Sequence, residues 1–139
     1  MKRIKHPEIR YQGEHCQLVI QQCSNQVVVM RITGSDVGEF GDSPMLELNR
    51  HLASFGAIQF FIDARKVRGA SINVSGDWAK WLGAKKEHLR EVHMLTGSRF
   101  VQITADFVRR FADLQSIMKL YTDPAAFEDV LTESLARLP

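Results

Sequence analysis

The 139-residue chain has no apolar run long enough to cross a bilayer. Its longest runs, such as Val27–Met30, cover only a few residues, whereas a membrane helix needs about 20. The basic segment Met1–Arg10 is not followed by an apolar stretch, so it lacks the pattern of a secretory signal. We therefore expect a cytoplasmic protein without a membrane span.

The chain also has little excess charge and few cysteines. The formal net charge is +2 and the basic residues are dispersed among acidic ones, so nucleic acid is not predicted as a partner. Cys16 and Cys23 have no CxxC pair or histidine cluster beside them, which does not favour zinc. We expect two reduced, partly buried thiols, as is usual in a reducing compartment.

The sequence patterns that mark common catalytic sites are absent. The chain contains no GxSxG, HExxH, GxGxxG or P-loop sequence. Asp63, Arg65 and His93 belong near the ends of adjacent predicted strands and could form a polar site. A simpler explanation of the first two is that Asp63 caps a turn and Arg65 balances its charge. His88 and His93 are on different predicted elements, which does not favour a metal pair. We predict no catalytic residues, no metal and no cofactor.

The length and composition fit one globular domain. We expect residues 1–13 to form a loose or edge segment and residues 14–139 to form a single domain. No internal repeat, low-complexity tract or linker interrupts that domain. The chain is long enough to fold without a disulfide or a metal.

The segment Ile58–Ile62 predicts a buried central strand, because it is short, apolar and rich in β-branched and aromatic residues. We expect Asp63 to end this strand and a polar connection to follow it. A helix is then predicted over about 75–91, burying Trp78 and Trp81. Ligands and partners of open α/β sheets usually bind where the carboxyl end of a strand connects to a helix. The connection between Asp63 and the second helix is therefore the first candidate site.

The remaining segments alternate strands and helices in the order β-β-α-β-α-β-α-β-α. Cys16–Gln22 and Gln26–Ile32 predict a hairpin. Asp42-Ser43-Pro44 and Asp123-Pro124 each have a capping side chain followed by proline, which is typical of a helix start. The alternation predicts an α/β fold: a mixed, mostly parallel sheet of four to five strands, about four helices and an N-terminal β-hairpin.

The clearest amphipathic pattern predicts the third helix. Its apolar residues recur at three- and four-residue steps: Phe100, Ile103, Thr104, Phe107, Val108, Phe111 and Leu114. We expect this stripe to face the sheet. Its aromatic residues fit core packing and an apolar ligand pocket equally well.

Three stretches carry a family resemblance: Val28–Gly34 (VVMRITG) before an acidic loop and a helix, Phe60–Val67 (FFIDARKV), and Ile72–Gly76 (INVSG) opening a helix. With the order of elements from about Cys16 to Leu138, they resemble a STAS domain. This is the fold of bacterial anti-sigma-factor antagonists and of sulfate-transporter tails, and the chain is most similar to its divergent stand-alone bacterial branch. The resemblance implies a non-catalytic regulator that binds a protein partner, such as an anti-sigma factor or a kinase-like regulator.

The same resemblance implies a phosphorylation site. In those antagonists, the loop before the second helix carries a serine, followed by glycine and preceded by aspartate, that a partner kinase phosphorylates. Ser75-Gly76 fits this pattern, whereas Asn73 stands in place of the aspartate and Asp77-Trp78 replaces a small apolar pair. Ser75 is therefore the candidate phosphosite. The alternative is that its hydroxyl only caps the second helix.

The candidate partner-binding residues are Asp63, Arg65, Asn73, Ser75, Gly76, Asp77 and Trp78. Trp78 and Trp81 are expected to anchor the helix to the sheet, the alternative being that one is an exposed hot spot. A different function also stays open, a small-ligand or lipid carrier similar to Sec14 with an apolar cavity under the second and third helices. A homodimer through the edge strand of the hairpin is a further expectation.

Overall fold

The structure, a computed structural model, describes residues 8–137. Ten main elements follow in chain order: β1 (Glu8–Gln12), β2 (Cys16–Gln22), β3 (Val27–Asp36), α1 (Ser43–Phe55), β4 (Ile58–Ala70), α2 (Ile72–Ala84), β5 (Leu89–Thr96), α3 (Arg99–Phe111), β6 (Met118–Tyr121) and α4 (Pro124–Ala136). A short 3-10 turn, Lys86–His88, joins α2 to β5. Residues 1–7 of the predicted N-terminal segment, and Leu138 of the predicted final helix, lie outside the described residues.

The six strands form one mixed sheet in the order β1-β2-β3-β4-β5-β6. β1 and β3 both run antiparallel to β2, and β3 to β6 are parallel to one another. The predicted α/β class, the four helices and the β2–β3 hairpin are confirmed. The sheet has more strands than predicted, because Glu8–Gln12 pairs with residues 17–21 of β2. The expectation of a dimer through the edge strand of the hairpin is therefore wrong in its location, since β1 and β4 cover both hairpin strands.

β4 lies in the middle of the sheet, between β3 and β5, which confirms the central strand at Ile58–Ile62. Neighbouring side chains on this strand point to opposite faces. Phe60 is fully buried under α1, α2 and α3, whereas Phe61 is fully buried against Phe127 of α4. A sheet covered on both faces explains why this segment is continuously apolar.

The prediction that Asp63 ends the central strand is wrong. β4 continues to Ala70 because the end of β3 pairs with it as far as Asp36. The predicted second helix is also displaced: it begins earlier than predicted, at Ile72, because Ser71 caps it, and it ends at Ala84. The predicted end of that helix at Glu91 is part of β5.

The apolar stripe predicted to bury α3 is mostly on its outer side. Phe100, Ile103, Phe107 and Phe111 are between 62% and 66% exposed, and the side chains buried on α3 are smaller: Val101, Ala105 and Val108. Small side chains allow close helix packing, and Ala112 lies against Gly83 of α2. The apolar arc of α3 is therefore wider than the surface that the sheet and α2 cover.

The first and last helices begin where the cap-plus-proline pattern predicts. Pro44 lies in the first turn of α1, but the predicted cap is wrong there, because Asp42 has helical backbone angles and makes no side-chain cap hydrogen bond. α1 ends before Gly56, a residue with a positive φ of 75°. Asp123 caps α4 by accepting the N–H of Ala125.

Both cysteines are free thiols in the structure, Cys16 buried and Cys23 half-buried. Burial raises the pKa of Cys16 to about 11. None of the helices within residues 8–137 combines the length and the apolar character that a membrane span requires.

Candidate functional site

The chain passes from β4 into α2 beside the end of β3. Ser71 is the N-cap of α2: its Oγ accepts the backbone N–H of Val74 at 3.2 Å. The backbone N–H of Ser71 donates to the carbonyl of Asp36 at 2.9 Å, which ties the start of the helix to the adjacent strand. This is the carboxyl edge of two parallel strands, where α/β proteins commonly bind ligands and partners.

Ser75 does not cap α2, so that interpretation of Ser75 is wrong. It lies in the second turn of the helix, where its backbone N–H donates to the carbonyl of Ser71 at 3.0 Å. The residue is half-buried and lines an apolar cavity under the helix. Sequence reasoning missed Ser71, although a serine three residues before a buried valine fits an N-cap equally well.

The predicted partner-binding residues are divided between the two faces of the sheet. Asp63 and Arg65 lie on the α4 side, where Arg65 Nε donates to Asp63 Oδ1 at 3.0 Å and Arg65 Nη2 donates to Glu128 Oε1 at 2.8 Å. Hydrogen bonds to these two carboxylates raise the pKa of Arg65. The pair therefore ties β4 to α4, while the α2 residues are on the other face.

The side chains around the start of α2 form a groove of about 340 Å³ against the β3–α1 connection. We call it the acidic groove; its walls include Asp36, Val37, Asp42, Asn73, Asp77 and Trp78. Of the described residues that line it, three are aspartates and none is lysine or arginine. Asp42 and Asp77 are exposed, and Asp36 is buried with its Oδ1 accepting the N–H of Gly38. Val37 is 53% exposed, and Ile72, which lies in the chain between the lining residues Ser71 and Asn73, is 90% exposed.

An apolar cavity of about 100 Å³ lies behind the groove, between α2, α3 and the sheet. Its walls include Met30, Ile62, Leu82, Met94 and Val108, with Ser75 and Thr104 among the few polar residues. Asp36 and Trp78 line both the cavity and the acidic groove, so the two spaces share a wall. A cavity of this size is well below the roughly 300–1,000 Å³ of most ligand pockets.

Both tryptophans anchor α2. Trp81 is buried, and its Nε1–H donates to Oδ1 of Asn49 on α1 at 2.9 Å. Trp78 is half-buried, packs edge-to-face against Trp81 with ring centroids 6.0 Å apart, and lies against the main core cluster. Trp78 therefore supports the helix and also presents one side to the groove.

His93 belongs to a separate buried network on the α4 face. Its ring stacks on Phe61 with centroids 4.6 Å apart, Nδ1 is 2.8 Å from the hydroxyl of Tyr121, and Nε2 is 2.7 Å from Glu91 Oε1. Burial raises the pKa of Tyr121. The hydrogen bonds of His93 go to these two residues, so the structure does not join it to Asp63 and Arg65 in one polar site.

No family model matches the chain, and no curated protein matches its sequence. Solved structures that resemble it include an uncharacterized protein of the DUF3478 family from Shewanella loihica PV-4, described as having a SpoIIAA-like fold. That match has a TM-score of 0.61 at 16% identity and covers 94% of this chain and 98% of the other. The chain therefore has the SpoIIAA-like (STAS) fold, which confirms the resemblance drawn from its sequence.

The anti-sigma factor antagonist SpoIIAA in its unphosphorylated form is a second similar structure. It gives a TM-score of 0.49 at 13% identity, covering 83% of this chain and 96% of the other.

Proposed function

We propose that this chain is a cytoplasmic, non-enzymatic bacterial regulator of the anti-sigma-factor-antagonist type that binds a protein partner through the acidic groove. The observation that carries the proposal is the groove itself, which lies at the carboxyl edge of β3 and β4 and combines three aspartates with exposed apolar side chains. Its position matches the strand-to-helix connection where this class of fold is expected to bind.

The chemistry of the groove defines the partner segment that it fits. Asp36, Asp42 and Asp77 concentrate negative charge in a concave surface, which attracts a basic segment and speeds association. Val37 and Ile72 are exposed beside these charges and would be covered by an apolar side chain of the partner. The partner is therefore a protein with lysine or arginine flanking an apolar anchor.

Charge reversal at the groove tests this proposal. Full-length protein carrying Asp77→Lys is compared with Glu87→Lys in affinity purification from the native cell, because both residues are exposed acids and both changes alter net charge equally. We expect the partner that copurifies with the wild type to be lost with Asp77→Lys and kept with Glu87→Lys. Equal recovery with both variants would contradict the groove as the binding surface.

Phosphorylation of Ser75 is the switch in this proposal. A phosphoryl group adds about −1.5 to −2 charges, and at a half-buried residue lining an apolar cavity these charges cannot stay solvated unless the start of α2 moves. That movement would displace Asn73 and Asp77 from the groove wall and weaken partner binding. The switch is therefore expected to act by distorting the groove.

Incubation with the cognate kinase, followed by mass spectrometry, tests the switch. We expect phosphate on Ser75, none in Ser75→Ala, and weaker partner binding after modification. Phosphate on Ser71 or another residue, or on none, would rule out Ser75 as the site.

A second candidate function is an apolar small-ligand carrier, which the cavity under α2 and α3 favours. Cavities of about 150 Å³ hold a benzene-sized molecule, so the observed volume of about 100 Å³ limits a ligand to that size unless α2 moves. Native mass spectrometry of the purified protein should then show a bound small molecule that is lost in Ala105→Leu, which fills the cavity. A wild type free of any such mass would contradict the carrier.

A further inference from the structure

We propose that the outer face of α3 is a homodimer interface, with a second copy of this chain as its occupant. The face consists of Phe100, Ile103, Phe107 and Phe111, which we call the α3 stripe. All four side chains are at least 62% exposed, and the rings of Phe107 and Phe111 stack with centroids 5.9 Å apart. Contiguous exposed apolar patches of this kind mark interaction sites.

The stripe has the area that a dimer needs. An aromatic side chain presents roughly 150–250 Å², so three phenylalanines at about two-thirds exposure and one isoleucine offer roughly 450–500 Å² per copy. Two copies would bury roughly 900–1,000 Å² of apolar surface, and the flanking polar side chains bring the total to the lower end of the range of about 1,200–2,000 Å² for specific interfaces. The stripe is therefore large enough for a small specific interface.

The spacing of the stripe suits a symmetric interface. The four side chains run almost the full length of α3, and their midpoint lies between Ile103 and Phe107. A two-fold axis at that midpoint makes the helices antiparallel and places Ile103 of one copy opposite Phe107 of the other. The same surface then serves both copies, as an isologous dimer requires.

The charges beside the stripe favour a protein surface over an anionic lipid surface. Asp106 accepts hydrogen bonds from Arg109 at 2.6 Å and forms an ion pair with Arg110 at 3.1 Å, so part of the positive charge on α3 is neutralised within the helix. A lipid-binding helix instead keeps its basic residues free for anionic headgroups. The stripe is also separate from the acidic groove, so a dimer would leave both grooves open.

Sedimentation velocity of the full-length protein tests the dimer at protein concentrations from about 1 µM to 1 mM. This range covers the dissociation constants of weak and of standard-size interfaces. The variants are Phe107→Glu in the stripe and Leu46→Glu on α1, because Leu46 is 60% exposed and gives a matched control. We expect wild type and Leu46→Glu to dimerise with constants within about twofold, and Phe107→Glu to associate at least tenfold more weakly. Circular dichroism should show the same fold in all three.

Three results would overturn the proposal. A wild type that stays monomeric at every concentration excludes a dimer through the stripe. A Phe107→Glu variant that dimerises like the wild type places the interface elsewhere, for example at the edge strand β1. A monomeric wild type that floats with phosphatidylcholine–phosphatidylglycerol vesicles, and loses this binding with Phe107→Glu, assigns the stripe to a lipid surface.

Discussion

Two serines at the start of α2, Ser71 and Ser75, are expected to differ in their response to replacement by alanine: only the change at Ser71 should be destabilising. Ser71 Oγ accepts the N–H of Val74, which otherwise has no partner within the first turn of the helix. Ser75 lies in the second turn, where its backbone N–H is already bonded to the carbonyl of Ser71. Substitution at Ser71 therefore removes a cap, whereas substitution at Ser75 changes only a residue within the helix.

The magnitudes follow from these positions. Loss of a serine N-cap costs about 1 kcal/mol, within a range of roughly 0.5–2 kcal/mol. Alanine has a higher helix propensity than serine by a few tenths of a kcal/mol, so Ser75→Ala is expected to be neutral or slightly stabilising. The free energies of unfolding of the two variants should thus differ by about 1 kcal/mol, and by no less than about 0.5 kcal/mol.

Urea unfolding followed by circular dichroism measures this difference, provided that the m-value stays constant among the variants. Ser98→Ala is the matched control, because Ser98 caps α3 by accepting the N–H of Val101 at 3.2 Å, the same distance as at Ser71. We expect Ser71→Ala and Ser98→Ala to lose similar stability. A loss from Ser75→Ala as large as that from Ser71→Ala would refute the assignment of the cap.

Three further predictions concern the core. Trp81→Phe is expected to lower the free energy of unfolding by about 1–2 kcal/mol, because it removes the hydrogen bond to Asn49. A double-mutant cycle with Asn49→Ala that gives no coupling energy would exclude that bond. Phe127→Ala should lower the free energy of urea unfolding by about 3–5 kcal/mol, and a loss below about 1 kcal/mol would mean that Phe127 is not packed against Phe61. Burial raises the pKa of Cys16 from 9.0 to about 11, so the contribution of this thiol to stability is complete below pH 9 and is lost as pH rises towards 11. The free energy of unfolding should therefore decline less over this pH range in Cys16→Ala than in the wild type, and an equal decline would contradict the shift.

The strands and helices that depend on local sequence were predictable. The apolar run at Ile58–Ile62, the hairpin and the proline-containing starts of α1 and α4 each depend on their own residues, and all were found in the structure, although Asp42 does not cap α1 as predicted. The second half of β4 was not predictable in this way. Arg65–Ala70 is polar and contains glycine, and it is a strand because Thr33–Asp36 pairs with it, a contact between segments about 30 residues apart in the chain.

The sequence indicated the region of the candidate groove but not which side chains line it. The connection into α2 does form the acidic groove, yet alternation along β4 turns Asp63 and Arg65 towards α4. On α3, the periodicity predicted the helix correctly but not which part of its apolar arc is buried. That choice depends on the short side chains of Ala105 and Ala112, which pack closely where phenylalanine would not fit.

The placement of both indoles on α2 has a spectroscopic consequence. Trp78 and Trp81 are the only tryptophans of the chain. When tryptophan is excited selectively at the long-wavelength edge of its absorption band, the fluorescence above 300 nm therefore originates almost entirely from one helix. Trp81 is shielded and should emit at shorter wavelengths, while Trp78 is partly accessible to quenchers. The protein thus contains an intrinsic optical probe of α2 that requires no label.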